Sequence, residues 1–180
     1  MNTETRYGWV SRLIHWLMAL GVIAMLGLGA YIVRMEVGFS NLWLFGVHKS
    51  IGMMLFALII LRLIWHRISA PPAPMPAEAA WQDSAARIAH RSFYVLLVLI
   101  PIFGYIGSAA SGLDVLLFER WKVPSVVPVS EAWEDGAFLV HSILTKLLAA
   151  LVLIHIAAAI KRRDGTLRRM LLGSAEARVA

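Results

Sequence analysis

The sequence contains no cysteine. That absence excludes disulfides, thiolate-held iron–sulfur clusters and covalent haem attachment through a C-x-x-C-H pair. Formal charge is scarce as well. Asp, Glu, Lys and Arg make up 16% of the 180 residues against 59% hydrophobic residues, and the mean hydropathy is +0.72. A soluble domain of this size could not cover its surface with so few charges. There is no glycine-rich phosphate loop and no dinucleotide fingerprint, and no polar segment is long enough to house a Ser/His/Asp arrangement. Any metal chemistry must rest on the six histidines, the carboxylates, or both.

What is present is long and apolar. Leu13–Val33 and Ser92–Leu113 carry no formal charge, and Ala137–Ile160 carries one, Lys146. A further stretch runs from Val47 to His66, where Lys49 and Arg62 trim the charge-free centre to Ser50–Leu61. A span needs about 20 residues, so these two cations must reach toward the two headgroup layers. The first stretch is too long for a signal-peptide core of about 7–15 residues and carries His15 and Trp16 near its start, so it reads as a retained helix. The expectation is an all-α, integral membrane four-helix bundle forming one domain over residues 1–180, with helices at about 10–34, 44–67, 84–111 and 136–162. Ala70–Pro76, with four prolines, reads as a stiff extended connector, and Asp114–Gly136 as an interfacial, amphipathic segment broken by Pro124 and Pro128. Pro101 should kink the third helix.

The net charge of +6 comes from basic residues at the ends of apolar runs, which is a topology signal and not a nucleic-acid footprint. Arg6, Arg12, Arg62, Arg67, Arg87, Arg91, Lys161, Arg162, Arg163, Arg168, Arg169 and Arg178 fall on one side. Arg34, Lys49, Arg120 and Lys122 fall on the other. The positive-inside rule then places both termini and the Pro-rich loop in the cytoplasm of a cell with this chain in its inner membrane.

The histidines carry the chemistry. His141 and His155 are 14 residues apart on one helix, about 40° short of four whole turns, so they share a face about 21 Å apart along the axis. His48 matches the depth of His141, and His15 that of His155. Two bis-histidine sites follow, His48/His141 near the outer surface and His15/His155 near the inner one. Such pairs suit two non-covalent b haems, for which imidazole is the usual axial ligand. Each histidine could also be an ordinary interfacial polar residue. His66 and His90, both set among arginines, compete for the inner site, and His90 could instead serve protons or a quinone. Gly21, Gly27, Gly29, Gly52, Gly104 and Gly107 open gaps for a flat ring or for plain helix packing. Lys146 lies about 140° and 180° around the helix from His141 and His155. It could snorkel outward, or meet a partner subunit or an acidic headgroup.

Several motifs together resemble the bacterial cytochrome b561 family, grouped with the cytochrome b subunits of nickel-iron hydrogenases. They are Arg12-Leu13-Ile14-His15-Trp16-Leu17, His48-Lys49-Ser50-Ile51-Gly52, Leu61-Arg62-Leu63, His90 with Tyr94, Pro101-Ile102-Phe103-Gly104, His141, His155, and Arg163-Asp164-Gly165-Thr166-Leu167-Arg168-Arg169-Met170. The resemblance covers nearly the whole chain. It implies the same four haem-iron ligands, His15 with His155 and His48 with His141, and a plasma-membrane electron carrier exchanging with ubiquinone. Many relatives carry a Lys-His-His-type cluster after the fourth helix. This chain has Ile160-Lys161-Arg162-Arg163 there, so no quinone or proton role carries over to that stretch.

The expected function is electron transfer between a periplasmic donor and the quinone pool. Superoxide is one candidate donor, steered by Lys49, Arg120 and Lys122. The alternative is a haem-b membrane anchor of a larger respiratory oxidoreductase, docking a periplasmic cytochrome c or dehydrogenase through Asp114–Gly136. A haem-free transporter or scaffold is a third class, and the absence of a broken-helix pair argues against a transporter.

Overall fold

The computed structural model describes residues 1–75, 79–162 and 164–174. Pro76 of the connector, and Arg163 and Arg178 of the basic flank, lie outside the described residues. Four long helices dominate: α1 (Trp9–Ile32), α2 (Trp43–Ile68), α3 (Ala80–Ala110) and α4 (Glu131–Lys161). All four are long and apolar enough to cross a bilayer, so the chain is an all-α four-helix membrane bundle. At about 1.5 Å per residue the shortest spans about 36 Å and the longest about 46 Å. A hydrocarbon core of about 30 Å therefore leaves helix ends protruding.

Local chemistry sets those ends. α4 begins at Glu131, upstream of its apolar run, because the Ser130 hydroxyl accepts from the Trp133 N–H at 3.4 Å, and Glu131 and Glu134 sit in the first turn, where negative charge suits the helix dipole. α3 likewise starts four residues ahead of the expected position, at Ala80, with Asp83 in its first turn.

The bundle packs unevenly. α3 lies along α4 and α1 along α2, with α2 joining the pairs through α3. α1 and α4 share almost no backbone contact among the described residues. Ile14 and Met18 of α1 meet Ile59 of α2 in one apolar cluster. Val22, Leu96 and Leu148, from α1, α3 and α4, meet in a second. The most apolar windows of the four spans bury only 6 to 22% of their residues within the chain. Their outward faces are built for lipid, where polar backbone is satisfied inside each helix.

At the end where α1 meets α2 and α3 meets α4, here the hairpin end, Val115–Leu117 (β1) pairs antiparallel with Trp121–Val123 (β2). Phe118 and Glu119 make the turn with φ of 50° and 56°, left-handed values that side chains rarely adopt. Tertiary bonds hold it there. The Phe118 N–H donates to the Ser50 hydroxyl at 2.7 Å, and that hydroxyl donates to the Gly46 carbonyl at 2.8 Å. The Tyr105 hydroxyl donates to the Pro124 carbonyl and accepts from the Val126 N–H. Within the segment read from sequence as a broken interfacial stretch, residues 115–123 are thus a small hairpin pinned across the ends of α2 and α3, and Glu131 onward belongs to α4.

The opposite, terminal end is closed by α5 (Thr166–Leu172), a short helix folded back on the N-terminal segment. Arg169 is 5% exposed and ties three segments together, donating to the carbonyls of Thr5 at 2.8 Å and Ala73 at 2.9 Å. Arg12 donates to the Leu171 carbonyl, Trp16 to that of Met170, and Asn2 to those of Ser69 and Ala70.

Candidate haem sites

Toward the hairpin end, α2 and α4 turn His48 and His141 toward each other across the bundle. Their ring centroids are 6.3 Å apart and their planes inclined at 68°. That is about the separation expected of two imidazoles on opposite sides of one metal atom at bonds of about 2 Å. Glycines of the other two helices border the pair. A Cβ at Gly104 would lie 3.0 Å from both Cε1 and Nδ1 of His141, and one at Gly29 would lie 3.3 Å from Cε1 of His48. A side chain at position 104 would press on the His141 ring and oblige it to shift.

Gly104 also clears the way to a backbone carbonyl. His141 Nδ1 is 2.9 Å from the Ile100 carbonyl oxygen, immediately before Pro101. A carbonyl can only accept, so Nδ1 carries the proton and Nε2 presents its lone pair. His48 is different: its Nδ1 is buried with no hydrogen-bond partner among the described residues. A buried imidazole nitrogen without a partner is costly.

At the terminal end three histidines gather. The ring centroids of His90 and His155 are 5.8 Å apart, and Phe93 packs edge-on to His155 at 5.2 Å. His15 lies within electrostatic reach of both His90 and His155, and its ring packs edge-on against Trp16 at 5.3 Å. Arg62 is the cation common to the group, within electrostatic reach of His15, His66, His90 and His155. It is held by its Nε–H donating to the Tyr94 hydroxyl at 3.4 Å, and that hydroxyl is 3.0 Å from His66 Nδ1. Between the two ends, Val22, Leu96 and Leu148 close the bundle.

The donor set narrows what these sites can hold. No group of three or more His, Cys, Asp or Glu side chains arranged for a metal ion occurs among the described residues. A bare ion would need more donors than the hairpin-end pair provides. A porphyrin brings four nitrogens of its own and asks the protein for two axial imidazoles and a flat, apolar slot. The facing rings and the glycine border fit that group.

The sequence-predicted residues are distributed as follows. His48 and His141 face each other. His155 stands with His90 in ring contact and with His15 in the same cluster. His66 is drawn aside to Tyr94. Lys146 is exposed on α4. Sequence reasoning missed the Ile100 carbonyl and the seat of Phe118 on Ser50. The first is backbone and has no signature. The second had only the Ser50 hydroxyl, two residues from His48, to betray it.

The family described as prokaryotic cytochrome b561 matches residues 6–173. A relative, cytochrome b561 homolog 2 of Escherichia coli (strain K12), is 35% identical over 177 residues, covering 94% of this chain and 93% of the relative.

Proposed function

The chain belongs to the prokaryotic cytochrome b561 family of membrane haem-b electron-transfer proteins, and within that family we propose that it holds two b haems and passes electrons between a donor at the hairpin end and the quinone pool. The observation that carries this reading is the His48–His141 pair at 6.3 Å with its glycine border, repeated in kind by a histidine cluster about 21 Å away along α4. Bound haem supplies a one-electron ferric/ferrous couple. The chain's own residues do the rest. His48 and His141 would hold the haem of one site through their imidazole nitrogens, and the Ile100 carbonyl fixes the tautomer of His141. Val22, Leu96 and Leu148 keep water from the space between the sites. Lys49, beside His48, places a cation at the face where an anionic donor such as superoxide would arrive.

For the second site the proposed ligands are His15 and His155. α1 and α4 share almost no backbone contact, a spacing that would suit a flat ring held between their histidines, whereas α3 is packed along α4. The 5.8 Å contact between His90 and His155 favours His90 as the competing ligand. Haem quantified in His15→Ala and His90→Ala separates them, because only the true ligand's loss removes a haem. The basic terminal end fits the cytoplasmic side of an inner membrane, with ubiquinone as the exchange partner there.

The two-site reading is tested by non-additivity. His48→Ala and His141→Ala should each lose the same haem, and the double variant should lose no more than either. Loss of different haems by the two single variants would refute the pairing. A second role, docking a periplasmic cytochrome c or dehydrogenase, is favoured by exposed apolar residues at the hairpin end. Phe118, Trp121, Val126 and Val129 are 54, 59, 79 and 74% exposed. Stable co-purification of such a partner would establish it.

A further inference from the structure

Lys146 is the central residue of the 31-residue helix α4, fifteen residues from each end, and it is exposed. The apolar run Ala137–Ile160 is centred two to three residues beyond it, so its Cα lies about 4 Å from mid-span. A lysine side chain reaches about 6 Å, while half the hydrocarbon core is about 15 Å. Snorkelling therefore leaves the ammonium inside the apolar layer. Headgroup phosphates lie beyond its reach for the same reason. The ion pairs among the described residues, Lys122–Asp114 and Arg162–Asp164, lie outside the four spans and do not involve Lys146. A charge so placed is expensive unless something in the membrane pairs with it.

The surface around Lys146 has the pattern of a helix contact. Leu139, Ile143, Lys146, Ala150, Leu153 and Ala157 follow each other at alternating steps of four and three, and all six are exposed. That spacing forms one seam along a helix. The two alanines let another backbone come close, which is how helices associate in lipid. A second copy of this chain does not complete the seam. No Asp or Glu occurs in any of the four apolar stretches, so a symmetric dimer would set Lys146 against Lys146.

We propose that this face of α4 is the docking surface for a membrane-spanning helix of a different polypeptide, one that carries an Asp or Glu near its own mid-span opposite Lys146. The small residues bring the two helices together, and the carboxylate supplies the countercharge that this chain lacks within its spans.

The test uses the full-length protein in lipid nanodiscs and, as probe, a 24-residue leucine–alanine helix with one central Asp, followed by energy transfer. The Asp helix should associate with the wild type at least tenfold more tightly than with Lys146→Leu, and at least tenfold more tightly than the same helix with a central Leu. Removing a charge from a lipid-facing site should leave the fold and haem spectrum of Lys146→Leu intact. Equal association in all three pairings would overturn the proposal. So would a wild-type homodimer that Lys146→Leu dissolves, because the occupant would then be a second copy. The chain has no cysteine, so Lys146→Cys introduces a single thiol. Labelling of that thiol by a charged, membrane-impermeant reagent as fast as a surface thiol would put the position in water and overturn the proposal as well.

Discussion

Gly104→Ala is the smallest change that should disable one haem site and spare the other. The new Cβ would stand 3.0 Å from Nδ1 and Cε1 of His141, where ordinary carbon contacts lie near 3.5 Å. The ring must retreat by about 0.5 Å, which stretches the 2.9 Å bond to the Ile100 carbonyl past useful hydrogen-bond length. That bond contributes about 1 kcal/mol, and overpacking costs about 1–3 kcal/mol. Alanine returns about 1 kcal/mol of helix propensity over glycine. The net penalty on the ligand position is about 1–3 kcal/mol, in line with the roughly 10–100-fold loss of metal affinity seen when a supporting contact behind a ligand is removed. The assay is titration of haem into the purified haem-depleted protein, followed by reduced-minus-oxidised spectra. Gly104→Ala should retain one haem at wild-type affinity and bind the other roughly 10–100-fold more weakly. Gly27→Ala is the control, since a Cβ there meets nothing within 4 Å. Two haems at wild-type affinity in Gly104→Ala would refute the reasoning.

Ser50 is fully buried, and its hydroxyl accepts the Phe118 N–H, so Ser50→Ala should cost about 1–3 kcal/mol and expose residues 111–130 to limited proteolysis. An unchanged cleavage pattern would show that the hairpin is held otherwise. Arg62→Gln removes the cation shared by the terminal-end histidines, so one haem midpoint should fall while the other stays put. For a unit charge at about 10 Å and an effective dielectric of about 20 the drop is roughly 50–80 mV, read by potentiometric titration. Equal shifts in both haems, or none, would place Arg62 elsewhere in the energetics. At the terminal end, burial pushes the Asp164 carboxyl up, but hydrogen bonds from Thr166 and Arg162 and the Arg162 charge outweigh it and hold its pKa below the usual value of 3.8. A lowered folded-state pKa means stability that is present above about pH 4 and lost as pH falls further, through the folded-state value. Hydrogen-exchange protection of α5 should therefore be flat from pH 7 to about 5 and drop in the acid range, and Asp164→Asn should remove that drop. The same acid profile in Asp164→Asn would assign it to another group.

The four spans were legible because apolar runs of span length with few charges leave one solution in a bilayer, a helix satisfied within itself. The common depth of His48 and His141 was legible for a related reason, since the apolar runs fix how far along the bundle each residue sits. That their rings face each other comes from how α2 and α4 are turned, which the sequence does not give. The neighbours of His155 were not legible either. Whether His90 or His15 stands nearest depends on how closely α3 packs on α4, and periodicity within one helix says nothing about that. The hairpin escaped because its turn is made by Phe118 and Glu119, without the Gly or Asn that announces left-handed backbone, and is held by Ser50 from another helix. α5 escaped because seven residues do not make a stable helix alone. Its order comes from Arg169 and from carbonyls of segments distant in sequence.

The most direct measurement is haem b quantified per polypeptide in the purified protein, together with its dithionite-reduced spectrum. Two haems per chain are predicted. One haem or none would contradict the account.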